Sequence, residues 1–213
     1  MFALDQIGPG ERLRVVALGA HADDVEIGAA GTLLRLIAER DAEVTLAVFS
    51  GGGARGGEAR ASADALLADA AEAAVHVLDH HDGYFPMQAE EIKDWVRATL
   101  EPIRPHLVLT HRRDDAHQDH RVLAELAWQA FRGATIAAYE IPKWDGDLGR
   151  PNAYVTLSDD VLDRKLALLR EHFRSQHGKG WYDDDTFRGL ARIRGVEAGA
   201  RWAEAFECAK LVW

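Results

Sequence analysis

His21, Asp23 and Asp24 stand together in "GAHADDVEIG", and His117, Asp119 and His120 in "DDAHQDHR". An imidazole and a carboxylate three residues apart, as His21 and Asp24 are, can turn toward one point where a strand gives way to a helix. His117 and His120 repeat that interval. Two histidines and one carboxylate, with a position left for water, make a common catalytic zinc set. A divalent ion would also resolve an electrostatic problem, because two adjacent acids beside an apolar run repel each other and resist desolvation. Asp23 and Asp24 are consecutive, so their side chains diverge. One can ligate while the other faces the bound water as a base. Acids at a helix start are as often only caps or favourable charges on the helix dipole. The second cluster, at the matching end of another strand, is what favours a metal. Spacing alone leaves open which of His117 and His120 would bind it.

The elements that must position these residues alternate along the chain. A strand at about 14–19 leads to a helix at about 27–40. "EVTLAVFS" reads as a second strand, followed by an alanine-rich helix from about Glu58 to Ala74. "VHVLD" is a third strand, and "AEEIKDWVRATLEPI" has helical spacing, with Ile92, Trp95, Val96 and Leu100 on one face. "HLVLTH" is a fourth strand, "QDHRVLAELAWQAFRG" a helix closed by Gly133, and "ATIAAYEI" a fifth strand. Alternating strands and amphipathic helices predict an α/β fold: a Rossmann-like three-layer sandwich with a mostly parallel sheet. After Pro142 come a loop, a short strand "AYVTLS", and a helix from Ser158, its expected N-cap. The last third, ending in "RWAEAFECAKLVW", is expected to form loops and caps over one end of the sheet, within one domain spanning 1–213.

Ligands of open parallel sheets bind at the carboxyl ends of the strands. Three chemically unusual loops fall there: "HADD", "SGGGARGGEAR" and "HRRDDAHQDHR". Their convergence on one rim is the main argument for a site. The glycine loop resembles a phosphate cradle by position, but it is neither a GxGxxG nor a Walker pattern. Close backbone approach is its better reading.

Composition narrows the partners. A formal net charge of -10 argues against nucleic acid, which needs a basic footprint. One cysteine, Cys208, fits a reducing and hence cytoplasmic compartment. No signal peptide and no membrane-spanning stretch is evident. A homo-oligomer is compatible with the sequence but not indicated by it.

"AHADDVEIGAAGTL" resembles the His-Pro-Asp-Asp signature of the LmbE-like, or PIG-L, family of metal-dependent N-deacetylases, and "DDAHQDHR" resembles its His-x-Asp-His motif. The similarity extends to "GGEARASADALLADAA", "HHDGYFP", "HFRSQH" and "WAEAF", and it departs from the family at Ala22, where proline is usual. The resemblance implies His21, Asp24 and His120 as metal ligands and Asp23 as general base. It implies His117 as the group that stabilises the oxyanion or protonates the leaving amine, with Asp119 orienting it. Arg60 and Asp82 match positions that contact sugar or phosphate in relatives. The implied substrate is an N-acetylglucosamine-type amino sugar or its conjugate. The implied cofactor is Zn2+, with Fe2+ accepted by the same donors. Trp144 and Lys143, in the loop Tyr139 to Asn152, together with Trp181 and Tyr182, are candidates to face a sugar ring, although an ordinary surface loop is the favoured reading of that stretch. Two rivals stand beside this reading: a metal-dependent hydrolase of another bond, such as a phosphoester, and a non-catalytic sugar-binding protein.

Overall fold

A computed structural model describes residues 11–209. The strands are β1 (Leu13–His21), β2 (Ala42–Ser50), β3 (Glu72–Val77), β4 (Leu107–Thr110), β5 (Thr135–Tyr139), β6 (Ala153–Leu157) and β7 (Trp202–Glu207). The helices are α1 (Asp24–Glu39), α2 (Ala54–Leu66), α3 (Phe85–Trp95), α4 (Gln118–Ala130), α5 (Asp159–His172) and α6 (Asp184–Glu197). The strands form one sheet in the order β3-β2-β1-β4-β5-β7-β6. The β3-to-β5 portion is parallel, and β7 runs antiparallel to both its neighbours.

The period-two geometry of β1 splits its side chains between two cores. Leu13, Val15 and Ala17 join the layer built from α1, α2, α5 and α6, while Val16, Leu18 and Ala20 join the layer of α3 and α4. Both faces are thus covered, which is why β1 reads as a continuous apolar run rather than an alternating one. The architecture is the expected three-layer α/β sandwich.

Three local expectations need correction. The helix expected over Glu58 to Ala74 starts at Ala54 and stops at Leu66. Alanine propensity continues beyond that point, but residues Glu72–Val77 pair in parallel register with Glu43–Val48 of β2, and sheet pairing overrides propensity. The helix expected over 89–103 begins at Phe85, with Pro86 in its first turn, and passes through a π-helical turn at Val96–Leu100. Within the C-terminal third, Trp202–Glu207 does not cap the sheet. It enters it as β7, wedged between β5 and β6.

Parallel pairing brings the strand ends to one edge: His21 closes β1 in register with Ser50, which closes β2. The Ser50 hydroxyl donates to Ala20 O (2.7 Å) and ties the two loops. Gly28, one turn into α1, allows the Tyr139 ring beneath the helix; a Cβ there would lie 2.2 Å from that ring. Tyr139 then donates to Leu18 O and clamps α1, β1 and β5 just below the rim.

Candidate metal centre and catalytic cleft

His21 is the last residue of β1, and Asp24 opens α1. His117 is the N-cap of α4 and His120 lies in its first turn. These three ends meet. His21 Nδ1 lies 3.1 Å from His120 Nε2 and 3.3 Å from Asp24 Oδ2, and His120 Nε2 lies 3.5 Å from the same oxygen. Donors bound tetrahedrally at about 2.0–2.1 Å sit about 3.3 Å apart, so this triangle matches a zinc-sized cation. All three residues are buried, yet they line an open cleft of about 310 Å³ with Asp23, Arg55, Asp82 and His117. A divalent cation at the centre would take the place of the imidazole proton that otherwise bridges His21 Nδ1 to His120 Nε2 and Asp24 Oδ2. The donor set fits a divalent ion.

The outer faces of both imidazoles are backed by acids. His21 Nε2 faces Asp82 Oδ1 (3.0 Å) and Asp119 Oδ2 (3.4 Å), and His120 Nδ1 faces Asp115 Oδ2 (3.1 Å). Carboxylates in that position fix the tautomer that aims the opposite lone pair at a metal. Burial disfavours a charged His21, but Asp24, Asp119 and Asp82 outweigh it and raise its proton affinity well above the usual imidazole range. The His21 hydrogen bond in turn lowers Asp82 to about 2. Burial, with His111 nearby, pushes His120 down to about 4, which favours its neutral form.

Asp23 behaves differently from its neighbour. Burial, then Asp24, pushes it up to about 6 against the opposing pull of Arg55 and His21. For Asp24 burial acts the same way, but His120, His21 and His111 overcome it and hold the acid well below the carboxylate range. The pair divides into a carboxyl that titrates near neutrality and one that stays anionic. His117 accepts the Asp119 backbone N–H at Nδ1 (3.3 Å), which leaves its hydrogen on Nε2. Burial and then His21 lower its pKa, so it is a neutral donor.

Asp119 meets His117 through its backbone N–H, while its carboxylate accepts from the backbone N–H groups of Gly83 (2.6 Å) and Phe85 (3.1 Å) and holds the Asp82 turn against the site. One expected placement changes. Arg60 does not line the cleft, because its guanidinium donates to Val75 O on β3. Arg55 stands there instead, reaching Asp82 Oδ2 at 3.1 Å and Asp23 Oδ1 at 3.5 Å. Its position was legible: Arg55 is in the first turn of α2, next to the strand end, while Arg60 is more than a turn farther away. Of the outer residues, Lys143, Trp144 and Trp181 line the cleft, and Tyr182 is buried with its hydroxyl on Leu169 O. The glycine loop packs on itself, since a Cβ on Gly56 would lie 2.0 Å from Gly51 O.

Sequence reading missed His111, Asp115 and the partners of Lys143. His111 follows directly on β4 and is fully buried. Its Nε2 takes the Ala20 N–H (3.0 Å), and its ring stacks on His120 at 3.9 Å. It lies close enough to Asp24 and His120 to complete another donor group, but it does not line the cleft. His111 therefore backs the triangle rather than facing a ligand.

The family model described as PIG-L, GlcNAc-PI de-N-acetylase, matches residues 16–131 of the 213. The chain belongs to the PIG-L family. The matched PIG-L span includes every donor of the triangle, and the family is one of deacetylases. YaiS of Escherichia coli strain K12, an uncharacterized deacetylase, is 27% identical over 179 residues, covering 76% of this chain and 91% of that one. The N,N'-diacetylchitobiose deacetylase of Pyrococcus horikoshii has a TM-score of 0.72 at 21% identity, covering 93% of this chain and 84% of its own. GalB, the 4-carboxy-2-hydroxymuconate hydratase of Pseudomonas putida KT2440, has a TM-score of 0.75 at 20% identity, covering 94% and 98%. A hydratase and a deacetylase share this PIG-L architecture, so structural likeness at this level speaks for the fold; the reaction has to be argued from the site. Among the described residues, no helix is long and apolar enough to cross a membrane.

Proposed function

We propose that this protein is a zinc-dependent hydrolase that removes the acetyl group from an N-acetylglucosamine-type amino sugar or its conjugate. The observation that carries the reading is the triangle of His21 Nδ1, Asp24 Oδ2 and His120 Nε2, with edges of 3.1–3.5 Å, open to a cleft that also holds Asp23 and His117. Membership of a family described by a GlcNAc-PI de-N-acetylase supports the amide and the amino sugar.

His21, Asp24 and His120 hold the cation. A divalent ion of this kind lowers the pKa of a bound water from about 15.7 to about 7 and polarises a carbonyl. Asp23, ionised above about pH 6, takes the proton of the attacking water as its oxygen adds to the acetyl carbon. The His117 Nε2–H donates to the oxyanion that develops, and it does so as a neutral group because its pKa is lowered. The proton stored on Asp23 then passes to the nitrogen as the C–N bond breaks, leaving acetate and a free amine. Asp82 and Asp119 fix the His21 ring, and Arg55 keeps Asp23 and Asp82 from repelling each other. Trp144, three-quarters exposed, and Trp181 offer apolar faces to the sugar ring at the cleft mouth. The lone Cys208 suits a reducing, cytoplasmic setting.

The test is release of acetate from a panel of N-acetylglucosaminyl compounds by protein loaded separately with zinc and ferrous iron. Stoichiometric acetate and amine are expected with at least one metal. Release of phosphate from phosphoester substrates without acetate would assign the site to another bond. Binding of N-acetyl sugars without any turnover would make the protein a lectin-like binder.

A further inference from the structure

On the Nδ1 side of His120 lies a second set of charges. Asp115 is buried; its Oδ2 stands 3.1 Å from His120 Nδ1, and its Oδ1 accepts the His117 backbone N–H at 2.8 Å. That same Oδ1 is 3.1 Å from Lys143 Nζ, which comes from the strap between β5 and β6. Lys143 also holds both oxygens of Asp147, each at 2.7 Å. Asp147 reaches back: its Oδ2 accepts the Ala116 N–H at 2.7 Å, and its backbone carbonyl accepts from Arg112. Residues 112–117 and 143–149 are therefore one bonded unit, and that unit ends on an imidazole of the donor triangle.

Each contact has a physical consequence. His120 Nδ1 and Asp115 Oδ2 make a close ion-pair contact rather than a well-angled hydrogen bond. A carboxylate in that place favours the hydrogen on Nδ1 and so leaves the lone pair at Nε2, the atom that faces Asp24 and His21. The other Asp115 oxygen holds the first residue of the His117 cap, so one carboxylate sets both the ring and the helix start. Asp115 is a buried acid and Asp147 a half-buried one. Lys143, itself nearly buried, compensates both, and its loss would leave them facing each other. Trp144 follows Lys143 directly and rests on Gly180, where a Cβ would be 3.4 Å from the indole.

We propose that Asp115 is a positioning residue that orients His120 for cation binding, and that Lys143 ties the 143–149 strap to that carboxylate so that strap and cation site are held as one unit. The inference rests on the deacetylase reading only in placing a cation at His120.

The experiment titrates chelator-stripped protein with zinc against a chromophoric chelator, for wild type, Asp115→Asn, Lys143→Met and Lys143→Arg. It adds thermal midpoints and amide hydrogen exchange. Asp115→Asn should bind zinc about 10–100-fold more weakly while remaining folded. In Lys143→Met the amides of 112–117 and 143–149 should exchange faster together, by about tenfold, with β1 and α1 unchanged, and Lys143→Arg should restore part of the protection. Wild-type zinc affinity in folded Asp115→Asn overturns the proposal, as does loosening of 143–149 alone in Lys143→Met. If Asp115→Asn does not fold, the exchange pattern of Lys143→Met decides. Undiminished affinity in Asp115→Asn, with acetate still released by wild type, sinks this inference and leaves the deacetylase reading standing. Failure of wild type to bind zinc sinks both.

Discussion

Two groups of buried charge pack against α1, and they are finished differently. Near the middle of the helix, Glu204 of β7 takes four hydrogen bonds, from Gly31 N, Thr32 N, Thr32 Oγ1 and Lys165 Nζ, at 2.6–2.9 Å. Lys165 also donates to Ile27 O (2.7 Å), so cation and anion are both satisfied. At the start of the same helix, Asp24 Oδ2 takes one N–H, from His21, and otherwise faces imidazole nitrogens of His21, His111 and His120 at 3.3–3.5 Å. The first group is closed on itself and joins the antiparallel part of the sheet to α1. The second gathers lone pairs at the wall of a cleft. Buried charge closed on its own partners away from solvent is structure; metal-ligating donors gathered at the wall of a cleft can take a charge from outside.

The contrast predicts opposite signatures for substitutions in the two groups. Asp23→Asn at the cleft should lower acetate release by about 10²–10⁴-fold while zinc content, measured by elemental analysis, and stability stay at wild-type levels. Lys165→Met in the closed group should do the reverse. Breaking a buried pair by removing one partner costs about 3–5 kcal/mol, and the low end applies here because three donors to Glu204 remain. Urea denaturation would measure that loss, and the folded fraction should keep one zinc per chain. A Lys165→Met protein of unchanged stability would erase the distinction.

Smaller effects concern the proton on Asp23. Its pKa is raised to about 6, so the base is lost as pH falls, and the rate should drop about tenfold per unit below that point and level off above it. A rate that stays flat through pH 5 would remove Asp23 from the role. Arg55 opposes the rise at Asp23, so Arg55→Ala should move this acidic limb to higher pH by a fraction of a unit, whereas Arg60→Ala, whose guanidinium sits on Val75 O, should leave it in place.

Much of this was legible in the chain because strand ends and helix starts announce themselves. The run Val15–Leu18 followed by "HADD", and "LVLT" followed by "HQDH", mark the two crossings that build the triangle. Residues acting through geometry across loops were less visible. Asp115, Lys143 and Asp147 look like ordinary loop charges until the strap folds back on the turn at 112–117. His111 reads as the end of a strand, and only the parallel register of β1 and β4 puts it under His120. β7 was hard to see because "WAEAF" carries Glu204, an acid whose burial makes sense only with its four hydrogen bonds, all from donors 39 or more residues away in the chain. Arg55 and Arg60 lie on the same helix, and only the register of α2 on the sheet decides which of them faces the cleft.

The account stands or falls on whether His21, Asp24 and His120 hold one cation. Calorimetric titration of chelator-stripped wild type and His120→Ala with zinc addresses this directly. One site per chain in wild type and none in folded His120→Ala is the predicted result. No binding by wild type, or an identical site in both proteins, would contradict it.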